Sequence, residues 1–252
     1  MNVTILENAR ELGREAAKLC SRELQRCIEE QGGARLLLST GASQFETLAS
    51  LITKDIDWSK VEMFHLDEYV HLSQEHPASF RKYLKERFVD LLPVPLHRAH
   101  FVNGEGDLGQ QIAALTSEIR KAPIDLALIG IGENAHIAFN DPPADFDTRD
   151  AYMIVNLDDR CKQQQVGEGW FASLEEVPSQ AITMTVHQIL QSKMIVSCVP
   201  HKVKARAIKD MFTHGVTNQV PATILKTHPN YTLFIDEQSA SEADRALLAA
   251  TE

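Results

Sequence analysis

Residues 125–143 read Asp-Leu-Ala-Leu-Ile-Gly-Ile-Gly-Glu-Asn-Ala-His-Ile-Ala-Phe-Asn-Asp-Pro-Pro, and this stretch decides the fold. From Ile124 to Ile129 the chain is apolar except for Asp125, the pattern of a parallel strand covered on both faces. Gly130 and Gly132 end the strand where a ligand can approach backbone closely. Glu133, Asn134, His136 and Asp141 follow in quick succession. Open α/β sheets bind ligands at the carboxyl ends of their strands, so an ionisable cluster there is a candidate active site. The stretch is not a dinucleotide fingerprint: a third glycine is missing and the strand lies mid-chain. A bare tight turn would account for the glycines, but not for His136, Asn140 and Asp141 before a double proline.

Upstream, Val3–Leu6 reads as a short strand and residues 7–31 as an amphipathic helix stopped by Gly32 and Gly33. Arg35–Leu38 is a strand, and Ser39, Thr40, Gly41, Ala42 and Ser43 lead into a helix over Gln44–Thr53. Hydroxyls and a glycine between strand and helix suit a phosphate, because helix N–H groups and the positive dipole end face the anion. The same residues also serve as an ordinary N-cap through Thr40 or Ser43. Val61–Phe64 is a strand delivering His65, Asp67 and Glu68, an arrangement fit for acid–base work; the plain alternative leaves at least one carboxylate in a solvated turn. Helices follow over Ser79–Leu92 and Asp107–Lys121, with a short strand at His100–Val102 between them.

Downstream, Tyr152–Leu157 is a strand. The polar segment around 158–178, with Gly167, Gly169, Trp170 and Phe171, reads as a flap over a site. A helix spans Val186–Gln191, and the strand Met194–Val199 runs into Pro200, His201, Lys202, Val203 and Lys204, a second turn where cations and helix N–H groups can meet an anion. Thr232–Ile235 is the last strand and Ser239–Ala250 a final helix. Strands alternating with helices predict one α/β domain over residues 1–252, a mainly parallel sheet with helices on both faces.

Composition narrows the function. A net charge of −10 and a pI near 5.5 argue against nucleic acid or an anionic membrane as the main partner, though a local pocket can still hold a small phosphate. Cys20, Cys27, Cys161 and Cys198 form no C-x-x-C pair, which points to free thiols rather than zinc or disulfides. With no signal-peptide pattern and no run approaching a membrane span, the expected compartment is the cytoplasm.

Three motifs in this order resemble the glucosamine-6-phosphate deaminase/isomerase family: Phe-His-Leu-Asp-Glu-Tyr at 64–69, Gly-Ile-Gly-Glu-Asn-Ala-His-Ile-Ala-Phe-Asn-Asp-Pro at 130–142, and the lysine-bearing turn at 200–204. The likeness runs from about Leu36 to Asp236. It implies a modified doubly wound α/β fold, shared with 6-phosphogluconolactonases, and a deaminase/isomerase-like hydrolase acting on glucosamine 6-phosphate or a close hexosamine 6-phosphate such as galactosamine 6-phosphate. The implied products are the ketohexose 6-phosphate and ammonia. By motif position, Asp67 is the base moving a proton between C2 and C1, His136 the ring-opening acid–base, and Asp141 the carboxylate that orients His136. Thr40, Gly41, Ala42, Ser43 and Lys204 match the family's phosphate site. No metal or organic cofactor is implied, and the partner is a small phosphorylated sugar bound by a monomer or homo-oligomer.

The chain departs from the family pattern at several positions. Asn134 stands where well-studied deaminases have aspartate, so a neutral amide would hydrogen-bond the substrate near C1 or C2. Asp141 is one methylene shorter than the usual glutamate. Gln163–Gln165 occupy the segment of a phosphate-binding arginine; Arg160 lies nearby, out of register, as a further phosphate candidate. Ala151 and Met153 replace the expected allosteric arginine and lysine. A 6-phosphogluconolactonase-type hydrolase is the alternative, although Tyr69 and Glu133-Asn134-Ala135 differ from its usual residues. A catalytically silent phosphosugar-binding protein is the other; a DNA-binding sensor would need a basic module that neither terminus supplies.

Overall fold

Side-chain alternation along the central strands sets the layers of the molecule. The computed structural model describes residues 1–167 and 169–249. In chain order it comprises β1 (Asn2–Leu6), α1 (Ala9–Gln31), β2 (Ala34–Leu38), α2 (Phe45–Leu51), β3 (Val61–His65), β4 (Asp67–Tyr69), α3 (Phe80–Arg87), β5 (Arg98–His100) and α4 (Leu108–Ile119). There follow β6 (Leu126–Leu128), β7 (Tyr152–Asn156), α5 (Asp159–Gly167), β8 (Gln180–Met184), α6 (Val186–Leu190), β9 (Met194–Val199), α7 (Ala205–Thr213), β10 (Tyr231–Asp236) and α8 (Arg245–Ala249).

Leu36 and Leu38 of β2 pack with Leu12, Ala16 and Leu24 of α1 and Leu48 and Leu51 of α2. Leu37, between them, packs on the other side with Ile119 of α4, Ile189 of α6 and Ile208 and Met211 of α7. The period of two therefore gives each strand two buried faces, and helices cover both. Seven strands form a wholly parallel sheet in the order β1-β10-β9-β6-β2-β3-β5. From β2 the chain winds outward through β3 and β5, then returns to β6 on the other side of β2. The winding thus reverses between β2 and β6, and the crevice above such a reversal is where this architecture takes ligands.

A second sheet, which the periodicity does not predict, runs antiparallel in the order β4-β8-β7. After β3 the chain turns at Leu66, whose N–H donates to Leu38 O (3.3 Å) in the main sheet and whose carbonyl accepts from Met184 N (2.8 Å). Asp67 thus begins the second sheet at its junction with the first. The region 158–178 is not a plain loop: it contains α5, and Cys161, Phe171 and Val177 pack with Tyr69 and Phe139 into a third apolar cluster.

Other boundaries shift. The strand expected at His100–Val102 is Arg98–His100, paired with β3 as Glu62↔Arg98 and Phe64↔His100. The expected helix at 79–92 ends at Arg87 and gives way to a 3-10 turn over Val89–Leu91. Residues from Ser239 form turns before α8, with the Ser239 N–H donating to the Asp236 carboxylate (2.7 Å). All four cysteines are buried and free. Among the described residues no helix is long and apolar enough to cross a membrane.

Candidate active site

The reversal between β2 and β6 opens into a cavity of about 740 Å³. Its walls include Thr40, Gly41, Ala42, Ser43, Asp67, Asn134, His136 and Lys204, so the main sequence candidates converge on one space. Asp141 stands directly behind His136. Arg160 belongs to α5, but its side chain lies outside the described part of the structure.

Local backbone geometry places the imidazole. Gly132 N–H donates to His136 O (2.9 Å), and Ala135, at φ 65°, makes the tight turn between them. The ring lies over Gly132 so closely that a Cβ there would fall 2.2 Å from its Cε1 and 2.3 Å from its Nε2. Glycine is thus required beneath the imidazole for space. His136 Nδ1 stands 3.0 Å from Asp141 Oδ1, an ion pair whenever the imidazole is protonated. Asn134 closes the arrangement: its Nδ2 donates to Asp141 Oδ1 (2.8 Å) and its Oδ1 accepts from the His136 N–H (3.1 Å). The amide expected to meet the substrate is therefore engaged at both ends inside the turn. Burial acts to push the Asp141 carboxyl up; His136, with Asn134 and the Cys161 thiol, overrides it and holds the group down at about 2.

Asp67 has the opposite environment. It is 6% exposed, and its carboxylate accepts no hydrogen bond from the described residues. Burial, reinforced by the neighbouring Glu68 charge, pushes it up to about 8. A carboxyl poised near neutrality is suited to taking and returning a proton. Glu68 does different work. The expectation of a solvated carboxylate at 67 or 68 does not hold, because Glu68 is fully buried. It accepts from Ser79 Oγ (2.7 Å), from Phe80 N (3.2 Å) and Arg81 N (3.0 Å), and from Arg81 Nε (3.1 Å). It thus caps α3 and anchors the strand that carries Asp67.

The opposite wall has the features an anion would need. Gly41, at φ 102°, turns the chain after β2, and the N–H groups of Gly41, Ala42 and Ser43 have no partner among the described residues. The turn is pinned by Tyr83 Oη donating to Gly41 O (2.9 Å) and by Gln44 Nε2 donating to Cys198 O (3.2 Å). Ser39 Oγ accepts from Gly130 N (3.1 Å), tying β2 to β6 below it. Facing this loop, His201 at φ 80° donates its N–H to the Asp236 carboxylate (3.0 and 3.1 Å) and swings the 202–204 turn over the cavity. Lys204 and Arg206 bring two cations from that side. Arg206 was not anticipated from the sequence, although it is a second cation in the first turn after the lysine. Nor were the wall residues Phe80 and Phe139, whereas Gln163, Gln165 and Trp170, from the segment expected to form a flap, do line the cavity. Gln165 Oε1 accepts from Tyr69 Oη (2.7 Å), fastening α5 to β4.

Away from this cavity, Glu62, His100 and Glu118 bring ligand atoms within 4.8 Å of one another. Glu62 is held by Arg35 (2.8 Å) and His100 (2.7 Å), and Glu118 by Lys121 (2.5 Å). Their charges are already balanced, so the cluster is an ion-pair network rather than a cation site.

Fold and site together define an open α/β protein with one crevice in which the 41–43 turn and Lys204 share a cavity with Asp67 and His136. The family model for glucosamine-6-phosphate isomerases/6-phosphogluconolactonase matches residues 7–234, and the chain belongs to this family. It is similar to the glucosamine-6-phosphate deaminase of Thermoanaerobacter pseudethanolicus, 36% identical over 96% of this chain and 94% of that one. The glucosamine-6-phosphate deaminase of Lactobacillus delbrueckii subsp. bulgaricus is 33% identical over 96% and 99%. Among solved structures, a monomeric glucosamine-6-phosphate deaminase superposes with a TM-score of 0.87 at 29% identity, over 96% of this chain and all of that one. A 6-phosphogluconolactonase from Thermotoga maritima reaches a TM-score of 0.77 at 15% identity, over 93% and 99%; at that identity the likeness concerns the fold alone.

Proposed function

We propose that the protein is an isomerising deaminase of hexosamine 6-phosphates, with glucosamine 6-phosphate as its leading substrate. The observation that carries this reading is the buried Asp67, without a hydrogen-bond partner among the described residues, sharing a cavity with His136 backed by Asp141 and with the 41–43 turn and Lys204. The phosphate is taken by the N–H groups of residues 41–43 together with Lys204. His136 moves the proton between the C1 hydroxyl and the ring oxygen, opening the sugar to the aldehyde, while Asp141 stabilises the imidazolium. Asp67 removes the C2 proton to give an enolamine and returns it to C1, leaving an imine at C2. Water adds there, ammonia leaves, and the ketose remains.

The assignments follow from the environments. A carboxylate held ionised beside imidazole supports that imidazole as an acid–base group; a buried one pushed towards neutrality exchanges protons with carbon. Asn134 is a positioning residue in this scheme. The 158–178 segment covers the bound sugar through Gln163, Gln165 and Trp170. Free sugar phosphates are cytoplasmic metabolites, and the protein works there. The deciding experiment incubates it with glucosamine 6-phosphate, galactosamine 6-phosphate and 6-phosphogluconolactone and follows ammonia, ketose and acid. Ammonia and ketose in equal amounts from an amino sugar are expected. Acid from the lactone alone would replace this reading with a hydrolase on the same scaffold.

A further inference from the structure

We infer that Glu133 selects an amino sugar over the neutral sugar of the same skeleton, as the counter-charge of the substrate's 2-ammonium; this rests on the function proposed above. The turn after β6 divides its polar side chains. Asn134 is consumed internally by Asp141 and the His136 N–H, whereas the neighbouring Glu133 is exposed and lines the cavity. No hydrogen bond or ion pair engages the Glu133 side chain among the described residues.

A census of cavity charge leaves this carboxylate a distinct task. Lys204 and Arg206 supply positive charge beside the 202–204 turn, and the Nε of Arg206 is steadied by Asp210 (2.8 Å). On the acid side, Asp141 is already occupied by His136 and Asn134. Asp67 is buried, and with its carboxyl pushed up to about 8 it carries little charge at neutral pH. Among the described residues, the exposed carboxylate that faces the cavity without a partner is therefore that of Glu133. A ligand that satisfies both walls is zwitterionic, anionic at the phosphate and cationic at the amine. Replacing ammonium by hydroxyl keeps the first interaction and removes the second.

The test measures affinity by calorimetry in an Asp67→Asn background, which prevents turnover, with and without Glu133→Gln. The probes are glucosamine 6-phosphate, glucose 6-phosphate and inorganic phosphate. Removing a hydrogen bond between charged groups is expected to weaken the amino sugar about tenfold. Glucose 6-phosphate and phosphate should stay within about twofold, so the amino-to-neutral ratio collapses. In the Asp67-containing enzyme, Glu133→Gln should raise KM for the amino sugar more than it lowers kcat. An unchanged ratio in a protein that binds and deaminates the amino sugar overturns the role of Glu133 alone. If the Glu133-containing protein binds neither phosphosugar, the proposed function falls and the inference falls with it.

Discussion

The two acids of the site illustrate how one residue type acquires opposite roles. Burial pushes the Asp67 carboxyl from the ordinary aspartate range near 4 up to about 8, so folding favours its protonated form. That contribution is present below about pH 4 and is lost as pH rises through about 8. Asp67→Asn removes the titrating group. The variant is expected to match the parent protein near pH 4 and to melt at least about 3 °C higher at pH 9, by thermal unfolding across that window. Parallel melting curves at every pH would show that Asp67 is not buried in charge-averse surroundings. At the neighbouring turn, Asn134→Asp would set one carboxylate where an amide now donates to Asp141 at 2.8 Å. The two acids would share a proton, and the acid limb of kcat/KM should move upward with a loss of about tenfold at neutral pH. An unaltered profile would remove Asn134 from the acid–base unit. Gly132→Ala forces a Cβ into the imidazole and should lower kcat by about a hundredfold, while inorganic phosphate still binds. Loss of phosphate binding as well would mean that the whole crevice had collapsed.

Among the elements, the anion wall depends on two short turns rather than on long helices. The 3-10 turns at Ala42–Gln44 and Lys202–Lys204 flank β6 on either side, and the helices they lead into, α2 and α7, cover opposite faces of the sheet. Lys204→Ala should raise KM for a phosphorylated sugar about tenfold or more and leave kcat within about twofold, since phosphate binding is shared by ground and transition states. An unchanged KM would take Lys204 out of the site. These turns were legible in the sequence, since each interrupts a clean strand–helix alternation with glycine, hydroxyls or lysine. The second sheet was not. Asp67–Tyr69 is too short to show a period of its own, and its partner Gln180–Met184 is buried through contacts made far along the chain. The polar composition of 158–178 concealed the apolar side of α5, where Cys161 packs towards Tyr69 and Phe139. His136 and Asp141 could be paired from the family motif, but the internal use of Asn134 depends on the turn at Ala135, visible only in three dimensions.

For the molecule as a whole, the two sheets separate two kinds of work. The parallel sheet brings the anion turns and the 130–141 turn to its carboxyl edge, and the antiparallel sheet holds Asp67 at the junction. Thr183 of β8 accepts the Phe139 N–H (3.0 Å), and Asn140 Nδ2 donates to the carbonyl of Met184 in the same strand (2.9 Å). The strand that pairs with Asp67 thereby also supports the turn bearing His136, so the two side chains share one frame. The most direct measurement of the central claim is NMR of glucosamine 6-phosphate turned over in deuterated water by the protein and by Asp67→Asn. The protein is expected to release ammonia and give a ketose 6-phosphate carrying solvent deuterium at C1, while Asp67→Asn binds the sugar and leaves its C2 hydrogen in place. Exchange at C2 that persists in Asp67→Asn, or an amino sugar left unchanged by the protein itself, would contradict it.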